Sequence, residues 1–207
     1  IIIVSWNVKE KLRDNLRAIY ESQNVNFEIF VVDNNSRDGS AAMVKKEYPQ
    51  FTFHHNSKWE TNNILASLLF AEPVMDGGFV STYSDIIFIP EILKKLVESP
   101  HDITIAADSK WRERYKDRSQ HPMDDAEKVA LKNNRIIKIS RKIPNEVADG
   151  EFIGLAKFSP KGAQKFIEYY HKSKQKYKDK PFQGNSTFRK AYLIDLFQEM
   201  LEQGEEI

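Results

Sequence analysis

The chain of 207 residues contains no cysteine, which excludes disulfides, cysteine-ligated zinc and a cysteine nucleophile. It has no apolar run long enough for a membrane span and no basic segment leading into a secretory signal. Charge of one sign is also missing: 31 Lys and Arg face 30 Asp and Glu, for a net charge of +1. That balance gives no support for a broad nucleic-acid-binding surface. The five histidines make no metal-ligand pattern, since His54 and His55 are adjacent and His121 precedes Pro122. No Ser/His/Asp arrangement can be argued. Glycine is scarce, and none follows the first apolar run at Ser5–Glu10. Internal repeats and low-complexity segments are absent. What remains is 41% hydrophobic and 29% charged, ordinary for a folded soluble protein. The length suits one α/β domain over 1–207, with the cytoplasm as the expected compartment. The chain starts directly on a strand and stops on Glu205-Glu206-Ile207, so both ends look cut.

The stretch 78–90, GFVSTYSDIIFIP, organises the rest. A run of β-formers from Phe79 ends at Ser84-Asp85, and a second apolar run, 86–89, stops at Pro90. So apolar a segment between helical patterns predicts a central strand buried on both faces. Asp85 interrupts it, and an unpaired carboxylate inside a sheet is costly. Asp85 is therefore expected at the open carboxyl end of the strand, facing a cation or ligand. The alternative is a turn aspartate capping the segment from Pro90.

Before it, residues 1–6, 27–32 and 51–54 read as strands and 9–22 and 41–48 as helices, the first helix carrying Leu12, Leu16 and Ile19 at helical spacing. Strand, helix, strand, helix, strand describes a parallel, right-handed βαβ array. The expected fold is a three-layer α/β/α sandwich around a mostly parallel sheet, with Asn7, Asp33 and Asp85 gathered at one edge. Later, helices are predicted over 91–98, 160–172 and 187–203, and strands over 102–107, 127–131, 136–139 and 152–158. Asn133-Asn134 is a plausible hairpin turn between two of those strands. The segment 173–180 is rich in lysine and reads as a mobile connection.

Two resemblances emerge from particular motifs. IIIVSWNVKEKLRDNLRAIYES and FEIFVVDNNSRDGSAAMVKKEYP, about the first 55 residues, resemble the start of a family 2 glycosyltransferase of the GT-A fold. By that resemblance Ser5 and Asp33 hold the base and ribose of a nucleotide-sugar; taken alone, Asp33 and Asp38 read as loop and N-cap residues. From residue 57 onward the blocks WETNNILASL, GFVSTYSDIIF, PHDITIAADSKW, HPMDDAEKVAL, EVADGEFIGLAKFSPKGA and PFQGNSTFRKAYLIDLFQEML resemble small-molecule nucleotidyltransferases. The match is to the cytidylyltransferases of phosphocholine and phosphonates, a group sometimes fused to phosphoenolpyruvate mutase. The chain thus reads as a hybrid of two families that share a GT-A-like nucleotide-binding sheet, joined near residues 54–58.

The nucleotidyltransferase resemblance implies CTP, a small phosphorylated acceptor and Mg²⁺. Mg²⁺ takes one or two carboxylates and completes its shell with water and phosphate oxygens. Asp85 and Glu151 are the implied ligands, with Asp149 a rival on the same turn; two unrelated solvated acids are the alternative. Lys128 and Lys142 are candidates for neutralising phosphate, Lys128 as a catalytic residue beside Asp85. Asn62 and Asn63 join Ser5 and Asp33 as nucleotide-binding candidates. Asp108, Trp111 and Tyr115 would form an acceptor pocket suited to a quaternary ammonium, unless the two rings simply pack a loop. Two departures matter. The glycine-rich loop that wraps a triphosphate with backbone N–H groups is missing after the first strand, and Tyr83 stands where a glycosyltransferase Asp-x-Asp pair would begin. Three readings follow: a cytidylyltransferase, a glycosyltransferase using a nucleotide-sugar, and a nucleotide-binding hybrid with impaired catalysis.

Overall fold

The computed structural model describes residues 1–22, 27–116 and 122–207; His121 lies outside the described residues. The chain runs β1 (Ile2–Ser5), α1 (Lys9–Glu21), β2 (Phe30–Asp33), α2 (Ser40–Glu47), β3 (Thr52–His55), α3 (Ile64–Leu68), β4 (Phe79–Tyr83) and α4 (Pro90–Val97). It continues through β5 (Ile103–Asp108), α5 (Trp111–Arg114), β6 (Lys128–Lys132), β7 (Arg135–Ile139), β8 (Gly150–Phe158), α6 (Pro160–Tyr177) and α7 (Leu193–Glu202). Short 3-10 turns lie at Trp59–Thr61, Leu69–Val74, Met123–Asp125 and Phe188–Lys190.

All eight strands among the described residues form one sheet in the order β3-β2-β1-β4-β8-β6-β7, with β5 also paired to β8. The first four are parallel, with Ile3 opposite both Val31 and Thr82. The two resembling portions are therefore joined within one sheet, through the β1–β4 ladder. Because β8 is antiparallel to β4, β5 and β6, and β7 to β6, six strands point one way and two the other. The fork lies in β8. Its second half pairs with β4 and its first residues with β6, while β5 follows its other edge. Gly154 sits at that change of neighbours with φ +80, and a Cβ there would stand 2.4 Å from the Tyr83 ring. Only glycine fits both demands.

One face of the sheet is covered by α1, α2 and α4 through Leu12, Leu16, Ile19, Met43, Val44 and Leu93. The other is covered by α3, α6 and α7 through Leu65, Leu68, Phe166, Leu196 and Phe197. Each such side chain contributes about 1.5–3 kcal/mol on full burial, and this places the layers. A smaller cluster of Trp111, Ala126, Ile143 and Ala148 supports α5.

Three expectations are corrected. The strand around Asp85 stops at Tyr83, and residues 86–89 are irregular, with Ile87 and Ile89 each 61% exposed. The paired part of β1 ends opposite Tyr83 and β8 changes neighbours at Gly154, so a continued strand has no ladder to join; the Asn15 side chain takes the Ile86 carbonyl instead. The lysine-rich segment is helical as far as Tyr177, because Ser173 is buried on α6 and Tyr177 packs on Phe182. The last helix starts at Leu193, where Tyr192 and Asp195 form a reciprocal cap. Asn133 and Asn134 do turn the β6–β7 hairpin, with φ of 53° and 60°.

Candidate active site at the carboxyl edge of the sheet

The parallel strands end together at Ser5, Asp33, His55 and Tyr83, the edge where open α/β sheets bind ligands. Ser5 and Asp33 are register partners, both buried. Asp33 Oδ2 accepts from the Ser36 N–H at 2.9 Å, whereas Asp33 Oδ1 and Ser5 Oγ are buried with no hydrogen-bond partner among the described residues. Two adjacent orphaned acceptors are costly in a folded chain unless something supplies donors. Asn56, fully buried, ties this end together: its Nδ2 donates to Asn34 Oδ1 at 2.8 Å and to Ser67 Oγ at 3.1 Å.

The loops after β1 and β2 are tied to each other. The Asn7 N–H donates to Ser36 Oγ at 2.9 Å, the Arg37 N–H to Asn7 Oδ1 at 2.7 Å, and the Lys9 N–H to Asp38 Oδ2 at 2.7 Å. Asn7 takes φ 50 to do so, a conformation asparagine tolerates better than most residues. Burial acts to raise the Asp38 pKa, but hydrogen bonds from Ser40 and from the Lys9 amide outweigh it and hold the carboxyl below its ordinary value. The amides that a phosphate loop would present at this position are thus engaged by side chains.

Asp108, Glu151 and Lys128 form one rung across three neighbouring strands, with Glu151 opposite Asp108 on one side and Lys128 on the other. Directly opposed residues share a face, so the sequence candidates from three separate motifs converge here. Tyr115 donates its hydroxyl to Glu151 Oε1 at 2.5 Å. Asp108 accepts from the Lys110 N–H at 2.9 Å and pairs with Arg114 Nε at 2.8 Å. Lys128 is 2% exposed and donates to Asn145 Oδ1 at 3.0 Å. Burial lowers its pKa against the opposing pull of Asp124, Glu151, Asp125 and Glu146.

The other candidates separate. Trp111 is fully buried in the cluster under α5, so it presents no face to an acceptor. Asn63 caps α3 through Oδ1 and donates Nδ2 to the Lys190 carbonyl, which commits both ends of its amide. Asn62 lines a cavity between α3 and α6. Asp149 is exposed and accepts from the Leu131 N–H at 2.7 Å, supporting the bulge in β6. Asp85 lies in an exposed turn and has no hydrogen bond or ion pair among the described residues, and it does not cap α4. No group of three or more His, Asp or Glu side chains among the described residues is arranged to hold a metal. A hard cation sharing a nucleotide needs only one or two carboxylates, and the chemistry of Asp85 and Glu151 fits that smaller demand.

One network escaped the sequence reading. On the α7 face, Glu127 accepts from Arg141 at 3.0 Å and from the Tyr83 hydroxyl at 3.4 Å, and Arg141 lies 3.9 Å over the Tyr192 ring. Burial pushes the Glu127 pKa up to about 7, and the Arg141 charge opposes the shift. Its only signal was an acid beside Lys128 at the start of an apolar strand. Asn56 and Asn145 gave none.

Residues 1–64 match the model of glycosyl transferase family 2. Over 157 residues the chain is 24% identical to the CTP:phosphoglutamine cytidylyltransferase of Campylobacter jejuni; the match covers 72% of this chain and 60% of that protein's length. The inositol-1-phosphate CTP transferase of T. maritima superposes with a TM-score of 0.66 at 18% identity, over 99% of this chain and 82% of that one. The CTP:phosphocholine cytidylyltransferase of Streptococcus pneumoniae gives 0.62 at 10%, over 100% and 86%. The chain has the nucleotide-diphospho-sugar transferase fold, a central mixed sheet between helical layers.

Proposed function

We propose that this chain is a Mg²⁺-dependent cytidylyltransferase-type protein, binding CTP and a small phosphate or phosphonate, with slow transfer. The observation that carries this reading is the Asp108–Glu151–Lys128 rung, on the same edge of the sheet as the strand ends that bear Ser5 and Asp33. The cytidylyltransferase resemblance of residues 57–207 and the C. jejuni relative support it.

In the reaction, an acceptor phosphate oxygen attacks the α-phosphorus of CTP. The bond to the bridging oxygen breaks, and pyrophosphate leaves with that electron pair. The acceptor is already anionic, so no strong base is required, and catalysis rests on placing charge. Ser5 and Asp33 carry the free acceptors for ribose or base donors. Asp85 and Glu151 would hold Mg²⁺, which when bound neutralises charge on the triphosphate oxygens. Lys128 supplies a cation on the acceptor side of Glu151, held in place by Asn145. Tyr115 orients Glu151. The engaged amides of Asn7 and Lys9 leave the triphosphate without the backbone cradle expected of a fast enzyme.

The glycosyltransferase reading has one observation in its favour, the match over residues 1–64. Tyr83, where that chemistry wants an Asp-x-Asp acid, donates its hydroxyl to Glu127 instead. A thermal-shift panel of CTP, other nucleoside triphosphates and nucleotide-sugars, each with and without Mg²⁺, separates the readings. Stabilisation by CTP with Mg²⁺ supports the cytidylyltransferase reading, and stabilisation by nucleotide-sugars alone overturns it.

A further inference from the structure

Between α3 and α6, on the helical layer that carries Phe166 and Leu196, the chain encloses a groove of about 750 Å³. None of the rung residues lines it. Its apolar lining includes Leu69, Tyr170 and Phe188, all buried. Three lysines, Lys58, Lys174 and Lys178, are among its lining residues.

The charge pattern of α6 singles them out. Four of the helix's five lysines have carboxylate partners: Lys161 with Asp102, Lys165 with Glu205, Lys172 with Glu168 and Lys176 with Glu199. Lys174, the one that lines the groove, has none among the described residues and lies 5.4 Å over the Tyr170 ring. Lys178 follows one turn later at the C-cap with φ 47, likewise without an acidic partner among the described residues. Like charges four residues apart oppose each other on a helix. The two acids of the groove have other partners, Glu72 in His171 at 2.9 Å and Asp179 in Arg189 at 3.0 Å. An apolar concave floor with a few convergent charged groups is the usual form of a small-molecule site.

We propose that this groove binds an organic anion with an apolar or aromatic body, its carboxylate, sulfonate or phosphate meeting Lys58, Lys174 and Lys178 and its hydrocarbon lying on Leu69, Tyr170 and Phe188. The site is separate from the cytidylyltransferase reading and stands if that reading fails.

The test uses two dyes of the same ring body, 8-anilinonaphthalene-1-sulfonate and neutral N-phenyl-1-naphthylamine, titrated by fluorescence into the whole chain. Saturable binding of the sulfonate is expected. The double variant Lys174→Gln, Lys178→Gln should weaken the sulfonate about tenfold, the scale of losing charge-assisted contacts, and leave the neutral dye within about twofold. Both positions are exposed, and an unchanged circular-dichroism melt confirms the fold. Lys58→Gln, on a different element, should act the same way to a smaller degree. Saturating CTP with Mg²⁺ should not displace the dye. Unchanged sulfonate affinity in the double variant, equal loss of both dyes, or displacement by CTP would overturn the proposal.

Discussion

The Lys9 N–H donates to Asp38 Oδ2 at 2.7 Å, and this one contact closes the loop after β1 onto the loop after β2. Together with the Asn7–Ser36 and Arg37–Asn7 bonds it ties the two loops at the edge of the sheet into one hydrogen-bonded corner. Asp38→Ala should therefore lower stability by about 1–2 kcal/mol, since it strips acceptors from the amides of Lys9 and Ser40. Urea unfolding checks this. A loss below about 0.3 kcal/mol, within the range of an ordinary surface substitution, would mean that the corner is not held by Asp38.

Asp85→Asn keeps the shape of an exposed, unpaired side chain, so folding should change by less than about 0.5 kcal/mol. Mg²⁺-dependent binding of CTP should weaken, measured by calorimetry with and without the cation. The companion Asp149→Asn, at a carboxylate that serves the Leu131 amide, should affect stability and leave that affinity alone. Unaltered Mg²⁺ dependence in the Asp85 variant would remove it from the metal assignment.

Glu127 carries a pH signature. Its folded pKa of about 7 stands above the unfolded value of about 4.5, so the folded state holds the extra proton between those values. Stability from this group is complete below about pH 4.5 and falls as pH rises toward 7. The contribution lost is on the order of 3 kcal/mol. Glu127→Gln should flatten that fall. The comparison is urea unfolding of both proteins at pH 5 and pH 8, and equal pH slopes would refute the assignment.

Much of the frame was legible from residue pattern. The apolar spacing of Leu12, Leu16 and Ile19 gave α1, and the β-branched runs gave β1, β2 and the start of β4. What failed was non-local. Residues 86–89 are as strand-like as their neighbours, but a strand needs partners, and only the fold shows that β8 changes neighbours at Gly154. Trp111 reads the same whether it lines a pocket or fills a core. The Asp108–Glu151–Lys128 rung was legible as three residues in three motifs, and its adjacency is a matter of strand register that sequence does not carry. Glu127 gave only a weak signal and Asn145 none, because the pairing of each depends on how β6 and the turns after β7 come together.

The β1–β4 ladder also predicts interdependence. Residues 1–56 and 57–207, expressed separately, would each leave an apolar strand edge unpaired. Neither should show a cooperative thermal transition, and mixing them should restore one if the ladder can form between chains. A cooperative transition in the isolated 57–207 fragment would contradict the single-unit view.

We propose that the chain binds CTP at the sheet edge but lacks the cradle for rapid transfer. Losing a single preorganised donor from a charge-stabilising site costs about a hundred- to a thousandfold in rate, and here the Asn7 and Lys9 amides are both engaged elsewhere. The most direct measurement is pyrophosphate release from CTP with Mg²⁺ and phosphocholine or 2-aminoethylphosphonate, alongside CTP binding on the same sample. Measurable CTP binding with very slow or no release is expected. Turnover at ordinary enzyme rates, about one to a thousand per second, would contradict it.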